Sequence, residues 1–245
     1  MNSGERDELL AKLALIRWRE DKCHGIHSVG FGGEYVRHSK TIADLKIISD
    51  IGIINLCKDC CIGKATASQK ADVYINGRGC SLKSNGSALP AFVNHTHRHG
   101  ILKVCQREGI DITKLDLLVN SYWLARNAGR IAEDVKFVGS VFANDRDVMV
   151  KLLAYFLFKG TAKGDSAYPA DFLYSFTDPL DFSTWIPYEP INAANDIIDK
   201  TTISLRNKGM PATYHPDSKN QNHIEMRPWV RFSDGEWKGS IHIRG

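Results

Sequence analysis

The chain has 245 residues, 43% hydrophobic and 24% charged, with a formal net charge of +4. That is ordinary for a folded protein, and the length allows one substantial domain or two small ones. No apolar run reaches the roughly 18 to 20 residues that span a bilayer, and the polar start Met1–Asp7 lacks an apolar signal core, so a cytoplasmic protein without a membrane partner is expected. The mild positive charge permits nucleic-acid binding through a local patch without demanding it.

Leu9, Leu13 and Ile16, widened by Leu10, recur at helical spacing and predict a helix over residues 5–20. Residues 25–33 are glycine-rich and read as a loop. A second helix is expected from Glu34 toward Asp50, with Ile42, Leu45 and Ile48 on its apolar side. Residues 57–70 form a polar connection, and a hairpin follows over 72–84. Pro90 suits the first turn of a helix through Val93, Leu102 and Val104. Two more helices are expected at 115–128 and 145–158. After Lys159 the character changes to glycine, proline and aromatic residues. Strands are expected there at 171–176, 201–206, 223–232 and 238–244, with a short helix at 191–199.

Six cysteines stand at 23, 57, 60, 61, 80 and 105. Cys57–Cys60 is a C-x-x-C unit, but a zinc ribbon needs a second such pair and none exists. Free thiols are the expectation.

The densest chemical signal is Asp72 to Lys83. Asn76-Gly77 sits between two short runs, and both residues tolerate the positive φ of a tight turn. Such a hairpin brings Asp72 and Lys83 close together. A carboxylate beside a lysine suits metal-assisted phosphodiester hydrolysis. The carboxylate holds Mg²⁺ and the lysine positions the attacking water. A surface ion pair on a hairpin is the plain alternative.

This pattern resembles the PD-(D/E)XK nuclease superfamily, and within it the type II restriction endonucleases. There an acid opens one strand, an acid-x-lysine triplet lies on the next, and an upstream helix often adds a glutamate. Asp72 matches the first acid, Lys83 the lysine and Glu34 the helical glutamate. The middle acid falls at Ser81, a departure, since serine is a poor Mg²⁺ ligand. The resemblance implies Asp72, Glu34 and the carbonyl of Leu82 as metal ligands, with Ser81 in the catalytic triplet. It also implies an α/β, restriction-endonuclease-like mixed central sheet flanked by helices.

Asn94-His95-Thr96-His97-Arg98-His99 follows. On a helix, His95 and His99 share a face, as metal ligands can; the alternative is a polar face where Asn94, His95 and Arg98 contact DNA phosphates. Lys163 and Ser166 lie in a Gly-rich basic loop that lacks P-loop spacing. Arg206, Asn207, Lys208, Asn222, His223 and Arg227 are side chains that can read base edges or hold phosphates. Trp185, Tyr188, Trp229 and Trp237 fill a core or lid more readily than they stack on bases.

The reading is a single domain over 1–245: a helix-rich part, 1–158, with the catalytic hairpin, and a strand- and loop-rich part, 159–245, for DNA recognition. Its function would be Mg²⁺-dependent, sequence-specific cleavage of double-stranded DNA. A symmetric recognition site would imply a homodimer. The competing readings are a non-catalytic DNA-binding protein on a nuclease scaffold and a histidine-ligated metal hydrolase.

Overall fold

The computed structural model describes residues 1–30, 37–63, 69–85 and 91–245. In chain order the elements are α1 (Ser3–Glu20), β1 (Val29–Gly30), α2 (Ile42–Ile47), α3 (Asp50–Asp59), β2 (Val73–Ile75) and β3 (Arg78–Ser84). Next come β4 (Ala91–His97), α4 (Arg98–Glu108), α5 (Ile112–Asn127), β5 (Val135–Lys136) and α6 (Arg146–Ala154). A π-type turn, Tyr155–Lys159, leads to β6 (Gly160–Thr161), β7 (Gly164–Asp165), β8 (Phe172–Phe176) and β9 (Ile186–Tyr188). The chain ends with α7 (Pro190–Ile198), β10 (Thr202–Arg206), α8 (Gln221–Met226), β11 (Arg231–Ser233), β12 (Glu236–Lys238) and β13 (Ser240–Arg244). It is a mixed α/β protein with a central mixed sheet flanked by helices.

The contacts gather into two compact units. The first comprises Met1–Ala88, Phe158–Gly160 and Asp165–Pro190; the second comprises Leu89–Leu157, Thr161–Gly164 and Ile191–Gly245. The change of character after residue 158 is thus not the line of division, because β8 and β9 belong with the N-terminal strands.

In the first unit the sheet order is β1-β2-β3-β8-β9. β1, β2 and β3 pair antiparallel, β8 joins β3 in parallel, and β9 returns antiparallel. The parallel pair needs a long crossover, and the chain between Ser84 and Phe172 supplies it. The turn is built as Asn-Gly requires, with φ of 51° at Asn76 and 81° at Gly77.

α1 starts at a capping box in which Asn2 accepts from the Glu5 N–H and Glu5 reaches back to Asn2. Its middle turns are buried nearly all round, from Leu10 to Ile16, because α1 packs on β3 and against α2 and α3. Lys12 is buried in that stretch, and its ammonium is met by Glu8 at 2.7 Å and the Gly63 carbonyl at 3.2 Å. Leu13, Leu82, Val73, Phe176 and Trp185 share one core. Trp185 stacks on Phe176 with centroids 4.8 Å apart, so it fills this core as the sequence reading preferred.

In the second unit the sheet order is β4-β13-β10-β5, antiparallel throughout. Ile203, Leu205, Ile241 and Ile243 form its buried face. Trp229 is fully buried, donates to Asp116 at 2.7 Å, and accepts at its carbonyl from Trp123 at 2.8 Å.

Three expectations are corrected here. Residues 91–97 are a strand, not the start of a helix; Val93 pairs with Ile243 in the sheet, and α4 begins only at Arg98. His97 caps that helix by accepting from the Gly100 N–H at 3.3 Å. Residues 221–226 are a helix, where a strand over 223–232 was expected. Asn220 caps it, accepting from the Asn222 N–H at 2.9 Å, and only 231–233 extend as a strand. Of the expected helix over 34–50 the described part holds α2 and only the first residue of α3, each helix opened by its own cap, Thr41 and Ser49. The first residues of that expected helix, including Glu34, lie outside the described residues.

Candidate functional site

β2 and β3 bring together four residues that the sequence nominated. The Asp72 side chain is one-tenth exposed. Its Oδ2 accepts from the Leu82 N–H at 2.7 Å and from the Ser81 hydroxyl at 3.2 Å. The Lys83 ammonium lies 3.6 Å from the same oxygen and donates to the Leu82 carbonyl at 3.1 Å. The backbone N–H of Asp72 is tied to the Cys80 carbonyl at 2.8 Å, which fixes the carboxylate against β3. Strand alternation puts Ser81 and Lys83 on one face and Leu82 on the other, in the core.

Three neighbours were not legible beforehand. Lys70 is held below the ordinary lysine range by burial first and by Lys83 second, with Asp72 opposing the shift. Ser84 donates to Asp7 of α1 at 2.5 Å. Ser175 of β8, the register partner of Lys83, donates to Asn85 at 2.6 Å. Polar groups therefore gather where β3 and β8 end. Position-two alternation along β8 was the available signal for Ser175; nothing in sequence spacing linked Asp7 to Ser84.

A carboxylate oxygen and a backbone carbonyl that already hold a cation between them are a fair donor set for a hard divalent ion. Ser81 supplies no carboxylate, and Glu34 lies outside the described residues. Among the described residues no group of three His, Cys, Asp or Glu side chains is arranged to hold a metal.

The nominated nucleic-acid residues divide into two groups. His95, Arg206, Asn207 and Lys208 line one cleft of the second unit, together with Glu133, Glu236, Lys238, His242 and Arg244. The cleft lies on the polar face of the sheet, where Ser204 opposes His242 and Thr202 opposes Arg244. Arg206 is ion-paired with Glu133 at 2.7 Å and Asp134 at 2.6 Å, and Asn207 donates to Glu236. Lys238 is buried, 2.8 Å from both Glu133 and Asp234. Alternation of Ser240, His242 and Arg244 in the last strand was the signal that could have found the far wall.

The others lie elsewhere. Arg98 is bound bidentately by Asp116 at 2.6 and 2.7 Å and donates to the Glu225 carbonyl at 3.1 Å. That is a part-buried structural pair, not a free phosphate contact. His95 and His99 do not share a helix face: His95 is in β4 and His99 is in α4, bonded to Glu225. His97 accepts at Nδ1 as a cap, and its ring lies 6.0 Å from that of His99 between centroids. His223 is buried and cannot reach a groove edge. Asn94, Lys163, Asn222 and Arg227 are exposed, and Arg227 donates to the Ser218 carbonyl. Ser166 is half-buried and its hydroxyl accepts from the Tyr168 N–H at 3.1 Å.

Among the described residues the cysteines join no group of three with histidine or acid that could hold a metal. Burial pushes the Cys57 thiol up to about 12 and raises Cys60 as well, which disfavours the thiolate that a metal would need. Among the described residues no helix is long and apolar enough to cross a membrane.

Comparison with protein-family models, with curated proteins and with solved structures found no match.

Proposed function

We propose that this protein is a Mg²⁺-dependent, sequence-specific DNA endonuclease of the type II restriction kind, with its chemistry on the first unit. The observation that carries the reading is the Lys83 ammonium held between the Asp72 carboxylate and the Leu82 carbonyl. Those are the two described oxygens that the resemblance to the PD-(D/E)XK nucleases assigns to the metal, and Asp72 and Lys83 stand in that family's strand order.

Asp72 and the Leu82 carbonyl would hold Mg²⁺, with Glu34 as the further carboxylate. When bound, the ion would polarise the phosphate and neutralise charge gathering on its oxygens. The Leu82 N–H and the Ser81 hydroxyl orient the Asp72 carboxylate. Lys83, displaced from Leu82, would donate to the water and to the phosphate oxygen beside it. The water oxygen would bond to phosphorus and give up its proton to bulk water, the bond from phosphorus to the 3′-oxygen would break, and that oxygen would take a proton from water, leaving a 5′-phosphate and a 3′-hydroxyl. The second unit would supply contacts to double-stranded DNA, and a symmetric target would make the working form a homodimer.

One observation favours a second reading, a DNA-binding protein that keeps this scaffold without cutting. Ser81 stands where the middle acid would be, and among the described residues no group of three His, Cys, Asp or Glu side chains is arranged to hold a metal.

The test is incubation of supercoiled and phage DNA with the purified chain in Mg²⁺ and in EDTA. Discrete fragments that vanish with EDTA and with Asp72→Asn support the endonuclease. Cleavage that survives Asp72→Asn overturns this site. Tight binding with no cleavage supports the second reading.

A further inference from the structure

The polar face of the second unit's sheet carries a cleft of about 290 Å³ whose walls are of three kinds: stacked rings, cations and carboxylates. We propose that it is a nucleotide site: one unstacked nucleotide lays its base against the His95–His242 pair and its phosphate against Lys208. The proposal rests on the nucleic-acid reading above and names the ligand of this cleft.

The two imidazoles are parallel within 2° and their centroids are 4.2 Å apart. A break in register between Ile241 and Ile243, opposite β4, produces this arrangement. At the same place His95 adopts φ of 47°, a left-handed conformation uncommon for a side chain of this size. Gly209, at φ of 89°, lies so close that a Cβ there would meet the His95 carbonyl oxygen at 2.3 Å. The loop after β10 is thereby pressed against His95, and Lys208 is carried to the rim beside the rings.

Burial disfavours the charged form of both rings. Burial lowers His95 to about 4, with His242, Lys208 and Arg206 adding to the effect, and burial lowers His242 too. Two neutral rings stack without repulsion and offer a flat aromatic surface, the kind on which a base lies.

The charges sort themselves. Lys238 sits against Glu133 and Asp234, while Asp134 is shared by Arg206 and Arg244. Lys208 is exposed and has no ion pair among the described residues, so it is the cation left for a phosphate. A plain anion site would not be lined by Glu133 and Glu236. A base, which carries both donors and acceptors on its edge, uses carboxylate and guanidinium alike.

Titration calorimetry and ring-proton NMR on the full chain in EDTA test this. The probes are the four deoxynucleoside 5′-monophosphates, a short single strand and a short duplex. Saturable binding is expected, with upfield shifts of the His95 and His242 ring protons. Lys208→Glu, on an exposed side chain, and His242→Ala should each weaken it about tenfold or more. Asp72→Asn should leave it unchanged. Binding of monophosphates and strand alike marks a free-nucleotide site; binding of the strand alone marks a strand site, and both support the proposal. No saturable binding of any probe, or binding that neither cleft variant alters in a folded protein, overturns it. Nucleotide binding without Mg²⁺-dependent cleavage would keep the cleft and remove the nuclease reading; cleavage without nucleotide binding would do the reverse.

Discussion

The Lys83 ammonium lies 3.1 Å from the Leu82 carbonyl and 3.6 Å from Asp72 Oδ2, so one cation joins a backbone oxygen to a carboxylate. Removing the carboxylate charge should abolish chemistry with little loss of fold. Asp72→Asn keeps an oxygen that can accept the Leu82 N–H, yet it no longer attracts a divalent ion. Mg²⁺-dependent cleavage is expected to fall at least a hundredfold while thermal stability changes little. Near-normal cutting by a clean preparation would remove Asp72 from the site.

Ser81 is buried beside Asp72. Ser81→Asp places two carboxylates together in a poorly solvated spot, which costs stability until a cation neutralises them. The variant should melt lower than the natural protein in EDTA and recover in millimolar Mg²⁺. Binding to the folded state alone stabilises it by RT ln(1 + [L]/Kd). A melting curve indifferent to Mg²⁺ would show that these oxygens do not converge on a metal.

Arg98 is a structural cation. Asp116 binds it bidentately and also accepts from Trp229, so Arg98→Ala leaves a part-buried carboxylate short of its charge partner. Urea unfolding should record a loss of about 2 to 4 kcal/mol. DNA affinity per folded molecule should stay within twofold. A large affinity loss at unchanged stability would restore the phosphate-binding role that the sequence suggested.

His95 contributes to acid sensitivity. Its folded value is lowered to about 4, against roughly 6.5 in an unfolded chain. Between those values the unfolded state binds more protons, so stability rises with pH across this window and is lost as pH falls through it. His242 and His97 are lowered too and act in the same direction. His95→Asn suits the positive φ and does not titrate. It should flatten the slope of stability against pH over this window by up to about one proton. An unchanged slope in pH-dependent urea melts would show that His95 is solvated.

The thiols should separate by access. Cys61 is exposed, whereas Cys57, Cys60, Cys80 and Cys105 are buried, and burial raises each of those four. Native labelling with a maleimide should modify Cys61 first and leave those four unmodified until the chain unfolds. Rapid labelling of Cys57 or Cys60 in the native protein would contradict the burial of α3 against α1.

The sequence alone determined the local features whose physics is local. Asn76-Gly77 set the hairpin because few residues tolerate positive φ, and the hairpin in turn brought Asp72 to Lys83. The apolar spacing of α1, α5 and α6 made those helices legible. Only the tertiary structure decided what residues 91–97 became: a segment that can start a helix was taken as a strand because β13 offered it a ladder and a buried face. The same holds for the candidate DNA contacts. Spacing could not tell that Arg98 would meet Asp116, or that His95 would lie on His242 from the far end of the chain, because each partner is distant in sequence. Side-chain type announces the chemistry a residue can perform; which residues stand near enough to perform it is settled by packing.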